Sequence, residues 1–449
     1  MTRRSLAQVI DSGMCIGCGA CVAADPTILL ELDPVGQGYC PSHPGDDRAA
    51  AVCPALQVDF GMLHDRVFPG QDVGEHGVVE SVHLAQSTDE GRNVRASSGG
   101  LIKELLLQAL ADPAVTGVIS IVHRGGLDFG ASLVTDPGDV DRLPGSIYHA
   151  LPFDAALRIL SEQPGRYVLV AIPCQLEGIY TYIHTQAPHL ADRIHSTIGL
   201  LCGWQYTHHA VRAICDYKGV DVESITDISF RGEGPVGKLR ITTPDRSVQV
   251  SRRVDFSYQV AFDRSFNIPR CHLCVNHSNF LADIVVGDAW LPSTVFTKTG
   301  ISLVICRTPA ARAALDSLSQ AGRVVSVEVG TAEIEESQTR RVVYGDFAYA
   351  YQDYLSEQGR PHPVMTGPNR RATRPVSRQE VEEFDTELAI KRDMQARREY
   401  RQLWRRKLRR EMPRLSKRYL DWFLVRVVRV KSLTGQRKEV PLEAMRRFR

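Results

Sequence analysis

Three cysteines near the N-terminus have the spacing of an iron-sulfur ligand set. Cys15, Cys18 and Cys21 form a C-x2-C-x2-C motif, which lets one turning backbone present three thiolates to one face of a cubic cluster. Cys53 precedes a proline, as many cluster-ligating cysteines do, and is predicted to be the fourth ligand; Cys40 is the alternative. A zinc knuckle is the other interpretation, although zinc motifs seldom use three cysteines at this double spacing.

A second set of four cysteines lies farther along the chain. Cys174 and Cys202 each follow a short apolar run, and ligand sites in α/β sheets lie at the carboxyl ends of strands. Cys271 and Cys274 add a C-x2-C pair. Taken singly, Cys174 and Cys202 are more typical of buried apolar thiols, but together the four residues favour a second ligand set.

The eleven cysteines of this 449-residue chain favour metal or cluster chemistry in a reducing compartment over a disulfide framework. No stretch approaches about 18 consecutive apolar residues, and the first residues have no apolar core followed by a cleavage site. We therefore expect a cytoplasmic protein without a membrane-spanning helix. Cys40, Cys215 and Cys306 are interpreted as structural.

The net charge of +2 conceals a strong asymmetry. Residues 391–449 carry 21 Lys and Arg against 6 Asp and Glu, about +15, so the first 390 residues carry about −13. Ser377 and Glu380 have capping-box spacing and predict the start of a long helix that ends near Pro413. The basic tail is expected to pack on the acidic body, or to dock on an acidic protein or at the inner face of the membrane. No nucleic-acid recognition motif accompanies it.

The elements that would position the cysteines follow from the apolar pattern. Short β-branched runs at 117–122, 167–172 and 196–201 predict buried strands, and residues 101–110 predict a helix between them. Such alternation is typical of an α/β domain.

The chain resembles the coenzyme F420 hydrogenase/dehydrogenase beta-subunit family, which includes ferredoxin-dependent reductases of chlorophyll metabolism. Eight segments occur in the family's order over about residues 10–310: the N-terminal cysteine motif, Arg95 to Gly100, Gly145 to Tyr148, Ile172 to Gln175, Leu201 to Gly203, Cys271 to Cys274, Ala282 to Trp290 and Gly300 to Val304. One departure is Ala171-Ile172, where the family usually has Gly-Thr.

The resemblance implies an α/β (α+β mixed) FAD-binding core with a ferredoxin-like N-terminal module. It also implies two [4Fe-4S] clusters, the second held by Cys174, Cys202, Cys271 and Cys274, with FAD beside it. The predicted units are an iron-sulfur module at 1–75, a domain with the flavin loop at 76–158, a domain with the second cluster at 159–345, a linker at 346–376 and a helical basic tail at 377–449.

The turn Ser97-Ser98-Gly99-Gly100 is the main candidate for the flavin loop. Its hydroxyls, its amides and the N-terminus of the following helix converge where a pyrophosphate could bind. On spacing alone such a turn is more often a helix cap; the resemblance favours the flavin. The other predicted cofactor contacts are Arg95, Gly145, Ser146, Tyr148, Gln175, Asn279, Asp283 and Asp288. For the last three, a structural role in turns has equal weight.

These cofactors predict an oxidoreductase that passes electrons between a carrier, ferredoxin or F420, and a small substrate. A flavin joins one-electron to two-electron chemistry, which explains why both cofactor types would share one chain. A non-catalytic electron-transfer subunit of a larger complex is the alternative, and a zinc-stabilised scaffold is a third hypothesis. The sequence singles out no catalytic residue.

Overall fold

The computed structural model describes residues 5–232, 237–252, 254–294, 299–367 and 375–409. The N-terminal part consists of short elements, in the order α1 (Leu6–Ser12), α2 (Ala20–Ala24), β1 (Leu30–Leu32), β2 (Tyr39–Pro41), α3 (Asp47–Ala51), β3 (Gln57–Asp59) and α4 (Phe60–Val67). β1 and β2 form an antiparallel pair. The Asp46 and Asp59 carboxylates accept backbone N–H bonds at the starts of α3 and α4, which supplies partners for donors that a helix leaves unpaired.

The remaining strands are β4 (Ser81–Ser87), β5 (Gly117–Gly125), β6 (Asp128–Val134), β7 (Tyr167–Ala171), β8 (Ile194–Leu200), β9 (Asp227–Ser229), β10 (Lys238–Thr242), β11 (Ser247–Ser251), β12 (Ile284–Asp288), β13 (Ser302–Cys306), β14 (Val324–Val329) and β15 (Val364–Thr366). Eight of them form one mixed sheet in the order β14-β4-β13-β12-β8-β7-β5-β6, and β9, β10 and β11 form a smaller sheet.

The centre of the large sheet is parallel. β12, β8, β7 and β5 are neighbours that run in one direction. β4 runs the same way, because two antiparallel pairings through β13 connect it to β12. The carboxyl ends of five strands therefore meet at one edge of the sheet, which is where ligand sites form in sheets of this kind.

The main helices after the N-terminal part are α5 (Glu90–Arg95), α6 (Leu101–Ala111), α7 (Asp154–Glu162), α8 (Pro173–Gln186), α9 (His209–Lys218), α10 (Phe256–Ala261), α11 (Pro309–Gln320), α12 (Ala332–Glu357) and α13 (Arg378–Ala396). Alternate residues of the strands face two separate cores. Val118 and Val168 pack with α6 and α11. Ile119 and Leu169 pack in the core that also contains α7, α8 and the N-terminal part.

The predicted mixed α/β fold is thus confirmed, including the strands near 117, 167 and 196 and the helix at 101–110. Residues 346–376, predicted as a linker, contain the end of α12 and also β15, which pairs with β3. The local Pro and Arg content of this segment could not indicate a strand, because its partner lies about 300 residues away in sequence. Among the described residues, no helix is long and apolar enough to cross a membrane.

The C-terminal helix begins as predicted, with the capping box of Ser377 and Glu380. The prediction of one uninterrupted helix towards Pro413 is wrong, because α13 ends at Ala396 and Arg398 has a positive φ of 57°. Residues 400–409 are helical again. A turn of this kind reverses the direction of the chain, so the two helical segments need not share an axis.

Residues 391–409, the described part of the basic tail, pack against the body. The Trp404 ring stacks on Tyr217 at 5.0 Å and meets Phe256 edge-on at 4.9 Å. The Lys407 ammonium lies 2.8 Å from the Asp263 carboxylate. Packing on the body, the first of the alternatives for the tail, is therefore correct for this part. The predictions for residues 410–449 lie outside the described residues.

Replacing Trp404 by alanine is expected to release the segment 400–409 from the body. Trp404 is half-buried, so its loss costs less than the about 3 to 5 kcal/mol of a fully buried tryptophan, and cleavage by trypsin within this segment should accelerate about tenfold. Limited proteolysis followed by mass spectrometry measures this. Val254, which is 77% exposed, provides the control change to alanine. Equal cleavage rates in both variants would contradict the packing described.

Candidate functional site

Four cysteines of the N-terminal part surround one small space, here called the first cage. Cys15, Cys18, Cys21 and Cys53 all line it, and all four are buried. Cys40, the alternative fourth ligand, does not line the first cage; it lies on β2 opposite Glu31. The geometry therefore brings together the four residues that the sequence favoured.

Glycines allow the cysteine turn to lie directly on the body. Gly17 and Gly19 have positive φ values of 71° and 80°, which side chains disfavour. A Cβ atom on Gly19 would lie 2.2 Å from the Cα atom of Asp154 in α7, and one on Gly17 would lie 2.5 Å from the Leu151 carbonyl oxygen. The first cage is consequently part of the main core, not a separate exposed module.

The second cage, made by Cys174, Cys202, Cys271 and Cys274, lies at the carboxyl edge of the large sheet. Cys174 is in the first turn of α8, directly after β7. Cys202 follows β8, the parallel neighbour of β7. Cys271 and Cys274 come from a short 3-10 turn at Pro269–Leu273 and the residue after it. The second cage therefore combines two strand ends with one loop.

The thiols of both cages are chemically suited to a cationic cluster. Burial raises the pKa of Cys53 to about 11 and that of Cys271 to about 12, so neither thiol ionises near neutral pH without a positive partner. Among the described residues, all cysteines are free of disulfides. Iron-sulfur clusters bind cysteine as thiolate and supply the positive charge that buried thiolates need.

The spacing of the sulfur atoms separates a cluster from a single zinc ion. Around one tetrahedral zinc with bonds of about 2.3 Å, thiolates would lie about 3.8 Å apart. Within the described residues, no three cysteine Sγ atoms lie within 4.8 Å of one another. A cube of iron and sulfide ions holds its ligands farther apart than one ion does, so the sulfur positions do not favour a single zinc ion in either cage.

A cavity of about 500 Å³ opens beside the second cage. Eight of the twelve predicted cofactor contacts line it: Arg95, Ser97, Ser98, Gly100, Gly145, Ser146, Gln175 and Asp288. The Ser97 hydroxyl accepts a hydrogen bond of 3.0 Å from the Ser146 amide and so joins the two loops. Gly100 caps α6, whose N-terminus is therefore at the wall. The volume is in the range of cofactor sites.

The other four predicted contacts lie outside the cavity lining. Asn279 is completely buried, and its amide donates to the Ala171 carbonyl oxygen at 3.0 Å. The Asp283 carboxylate accepts two bonds of 2.8 Å from the amide and hydroxyl of Thr197. These bonds are compatible with the alternative interpretation, a structural role beside the strands, and the cofactor role of both residues stays a prediction.

Gly99 of the candidate flavin loop packs closely against the backbone of Gly300. A Cβ atom at Gly99 would lie 2.9 Å from the Gly300 carbonyl oxygen. The Tyr148 ring packs edge-on against Phe230 and Phe262, with the guanidinium of Arg252 over its face. These two residues therefore shape the surroundings of the cavity from outside its wall.

The cavity carries more positive than negative charge. Its lining includes two carboxylates, Asp141 and Asp288, and five cationic side chains: Arg95, Lys103, Arg231, Lys238 and Arg240. Arg231 and Asp288 form an ion pair of 2.6 Å. The excess of cations suits ligands with phosphate or carboxylate groups.

The two cages and the cavity share walls. Ile16 lines both the first and the second cage. Gln205 lines both the second cage and the cavity, and its amide donates to the Cys271 Sγ atom at 3.4 Å. The three sites therefore form a series in which each site shares a lining residue with the next.

Sequence reasoning missed several residues of this arrangement. The cations of β9–β11 belong to a part of the chain that has no motif. Arg270 was visible only as the neighbour of Cys271, and Glu177, its partner at 2.9 Å, is 93 residues away. Glu177 is the one Asp, Glu, Lys or Arg in α8, and this was the available signal for it.

Two family models match the chain: the coenzyme F420 hydrogenase/dehydrogenase beta subunit N-term at residues 82–158 and the corresponding C terminus at residues 165–331. Together they cover more than half of the chain. Among curated relatives, a subunit of the F(420)H(2) dehydrogenase of Methanosarcina mazei is 26% identical over 309 residues, which are 66% of this chain and 82% of that protein.

The coenzyme F420 hydrogenase subunit beta of Methanothermobacter thermautotrophicus is 25% identical and covers 50% of this chain and 78% of its own length. The coenzyme F420-dependent sulfite reductase of Methanocaldococcus jannaschii is 21% identical over 68% of this chain, which spans only 46% of that protein. A chain in the structure of the xenon-derivatized F420-reducing [NiFe] hydrogenase complex from Methanosarcina barkeri is 18% identical, with 64% and 95% of the two chains covered and a TM-score of 0.49.

Changing Gly178 to alanine tests the first cage. The added Cβ atom would lie 2.8 Å from the Cys18 Sγ atom, so this ligand must move. If each cage holds a four-iron cluster, iron bound per chain is expected to fall from about eight to about four atoms, because one of the two sites is lost. Iron and acid-labile sulfide analysis after anaerobic reconstitution measures this. Gly38, which has nothing within 4 Å of an added Cβ atom, is the control position; unchanged iron in Gly178→Ala would contradict the assignment.

Proposed function

The chain belongs to the coenzyme F420 hydrogenase/dehydrogenase beta-subunit family, a family of oxidoreductase components, and we propose that it passes electrons between a carrier and a small substrate through two [4Fe-4S] clusters and FAD. The carrier is ferredoxin or F420. The names of the relatives favour F420, since a dehydrogenase, a hydrogenase and a sulfite reductase among them are all named for it.

The observation that carries this proposal is the series of shared walls. Electron transfer between redox groups requires them to lie close together, and the two cages and the cavity are adjacent, with Ile16 and Gln205 as shared lining residues. A structural zinc site would need no such continuity with a ligand cavity. The wide spacing of the cysteine sulfurs supports the same conclusion.

Each part of the series has its own residues. Cys15, Cys18, Cys21 and Cys53 would hold the first cluster, and Cys174, Cys202, Cys271 and Cys274 the second. The eight lining residues at the cavity, among them Ser97, Ser146 and Gln175, would hold FAD. When bound, the clusters supply single electrons and the flavin supplies exchange between one and two electrons.

The chain's own residues prepare the cavity for an anionic cofactor. The two loops joined by the Ser97 to Ser146 bond both line the cavity, and α6 adds the partial positive charge of its N-terminus. The Lys103 ammonium donates to the Asp141 carbonyl oxygen at 2.8 Å and holds these two parts of the wall together. Val170 and Ala171, which are both buried, add an apolar part to the wall.

A non-catalytic electron-transfer subunit is the second candidate. It is favoured by the relatives that are named as subunits of larger enzymes. The two candidates share the cofactors and differ in the cavity: a catalytic chain must hold a substrate beside the flavin, whereas an electron-transfer subunit needs a protein partner at that position. Turnover by the isolated chain would separate them.

Cofactor analysis of the full chain is the first test. Anaerobic purification is expected to give about eight irons, about eight sulfides and one FAD per chain, with reduction of the visible absorption by either reduced ferredoxin or reduced F420. Four irons with flavin would remove one cluster from the proposal. Zinc without flavin would refute it.

Replacing Ser97 by alanine is expected to weaken FAD binding. The change removes the hydroxyl that joins the two loops, and loss of one such hydrogen bond costs about 1 to 2 kcal/mol, which corresponds to about a tenfold higher dissociation constant. Flavin fluorescence on titration of the deflavinated protein measures it. Ser317, exposed on α11, is the control serine. Equal affinity in Ser97→Ala and Ser317→Ala would argue against a flavin at this loop.

A further inference from the structure

A buried ion pair lies between the two cages. The side chains of Arg270 and Glu177 are 1% and 0% exposed, and their nearest atoms are 2.9 Å apart. The other Glu177 oxygen accepts a bond of 2.9 Å from the Asn276 amide, and the Asn276 oxygen in turn accepts from the Phe280 N–H at 2.8 Å. Glu177 is thus held in one position by two separate partners.

Arg270 touches both cages. Its Nε atom donates at 3.2 Å to the carbonyl oxygen of Pro54, which lines the first cage beside Cys53. The Arg270 side chain itself lines the second cage. Burial raises the pKa of Cys53, Cys271 and Cys274, and in each case the charge of Arg270 opposes that rise.

The negative charge of Glu177 has the opposite effect on the pKa of thiols in both cages. It lies one turn after Cys174 in α8, and the next residue, Gly178, faces Cys18 closely. Burial raises the pKa of Cys18 and Cys174, and the negative charge of Glu177 raises both further. One cation and one anion, fixed to each other, are therefore within electrostatic reach of both thiol sets.

A buried ion pair of this kind is not explained by stability alone. Desolvation of two charges costs several kcal/mol, and well-packed apolar residues of the same volume are often at least as stable. Electrostatic interactions between groups at such depth are strong, because the local dielectric is low and salt screens them much less than it screens exposed charges. The potential of an iron-sulfur cluster depends on charges and hydrogen bonds near its sulfur atoms.

We propose that the Arg270–Glu177 pair tunes the reduction potentials of both clusters. The positive charge of Arg270 raises both potentials, and the negative charge of Glu177 lowers both. This inference rests on the proposed function, since it requires both cages to hold a cluster. Adding an electron to a cluster adds one negative charge. Arg270 stabilises the reduced form of each cluster and Glu177 destabilises it, so the pair adjusts both centres without contacting a carrier or a substrate.

The test is a potentiometric titration of the anaerobically reconstituted full chain, followed by electron paramagnetic resonance. Wild type should show two one-electron couples. Glu177→Gln should raise both potentials and Arg270→Gln should lower both. Each shift should be at least about 59 mV, which corresponds to a tenfold change in the reduction equilibrium of a one-electron couple. Arg270→Lys retains the charge and should restore most of the shift. Arg312→Gln, which removes an exposed ion pair with Glu328, should leave both couples unchanged.

Potential shifts of opposite sign in Glu177→Gln and Arg270→Gln distinguish this electrostatic role from damage to the packing. Shifts of the same sign in Glu177→Gln and Arg270→Gln, or a shift confined to one couple, would overturn the inference. If Arg270→Gln fails to incorporate clusters, the potentials of Glu177→Gln and Arg270→Lys, compared with wild type, still test the inference. A wild-type chain that takes up no iron would instead refute the proposed function, and with it the basis of this inference.

Discussion

The close contact between the N-terminal cysteine turn and the body is the constraint on which the site depends. Gly17 and Gly19 rest on the residues that lead into α7, and Gly178 of α8 faces Cys18 at a distance that leaves no room for a methyl group. Because of this contact, Ile16 can form a wall of both cages, and Arg270 can reach the backbone beside Cys53.

The arrangement at the sheet edge follows from the direction of its strands. β7, β8 and β12 are parallel neighbours, so the segments that follow them lie side by side at one edge of the sheet. Cys174, Cys202 and Asp288 come from these three ends. The second cage and the cavity are therefore two halves of one edge: the loop at Pro269–Leu273 completes the cage, and the serine turn before α6 completes the cavity.

Local and periodic features of the sequence predicted most of this arrangement. Cysteine spacing indicated both ligand sets, and β-branched runs indicated the strands that present the second one. The prediction was weaker where a role depends on distant partners. Asp283 flanks β12 like Asp288, but it precedes the strand and lies at the end opposite the cavity, where its carboxylate accepts hydrogen bonds from Thr197. The break after α13 depends on the backbone of Arg398, a residue type that gives no warning of a positive φ.

The shared core of the cysteine turn and the body also bears on how this protein can change. A self-contained cluster-binding domain can be exchanged, duplicated or lost, because few contacts cross its boundary. Here Leu6, Val9 and Cys15 belong to the same buried cluster as Ile119 and Leu169 of the sheet, and β15 returns to pair with β3. Transfer of the N-terminal segment to another protein would therefore expose these core contacts, and a larger residue at Gly17 or Gly19 would require compensating changes at the start of α7.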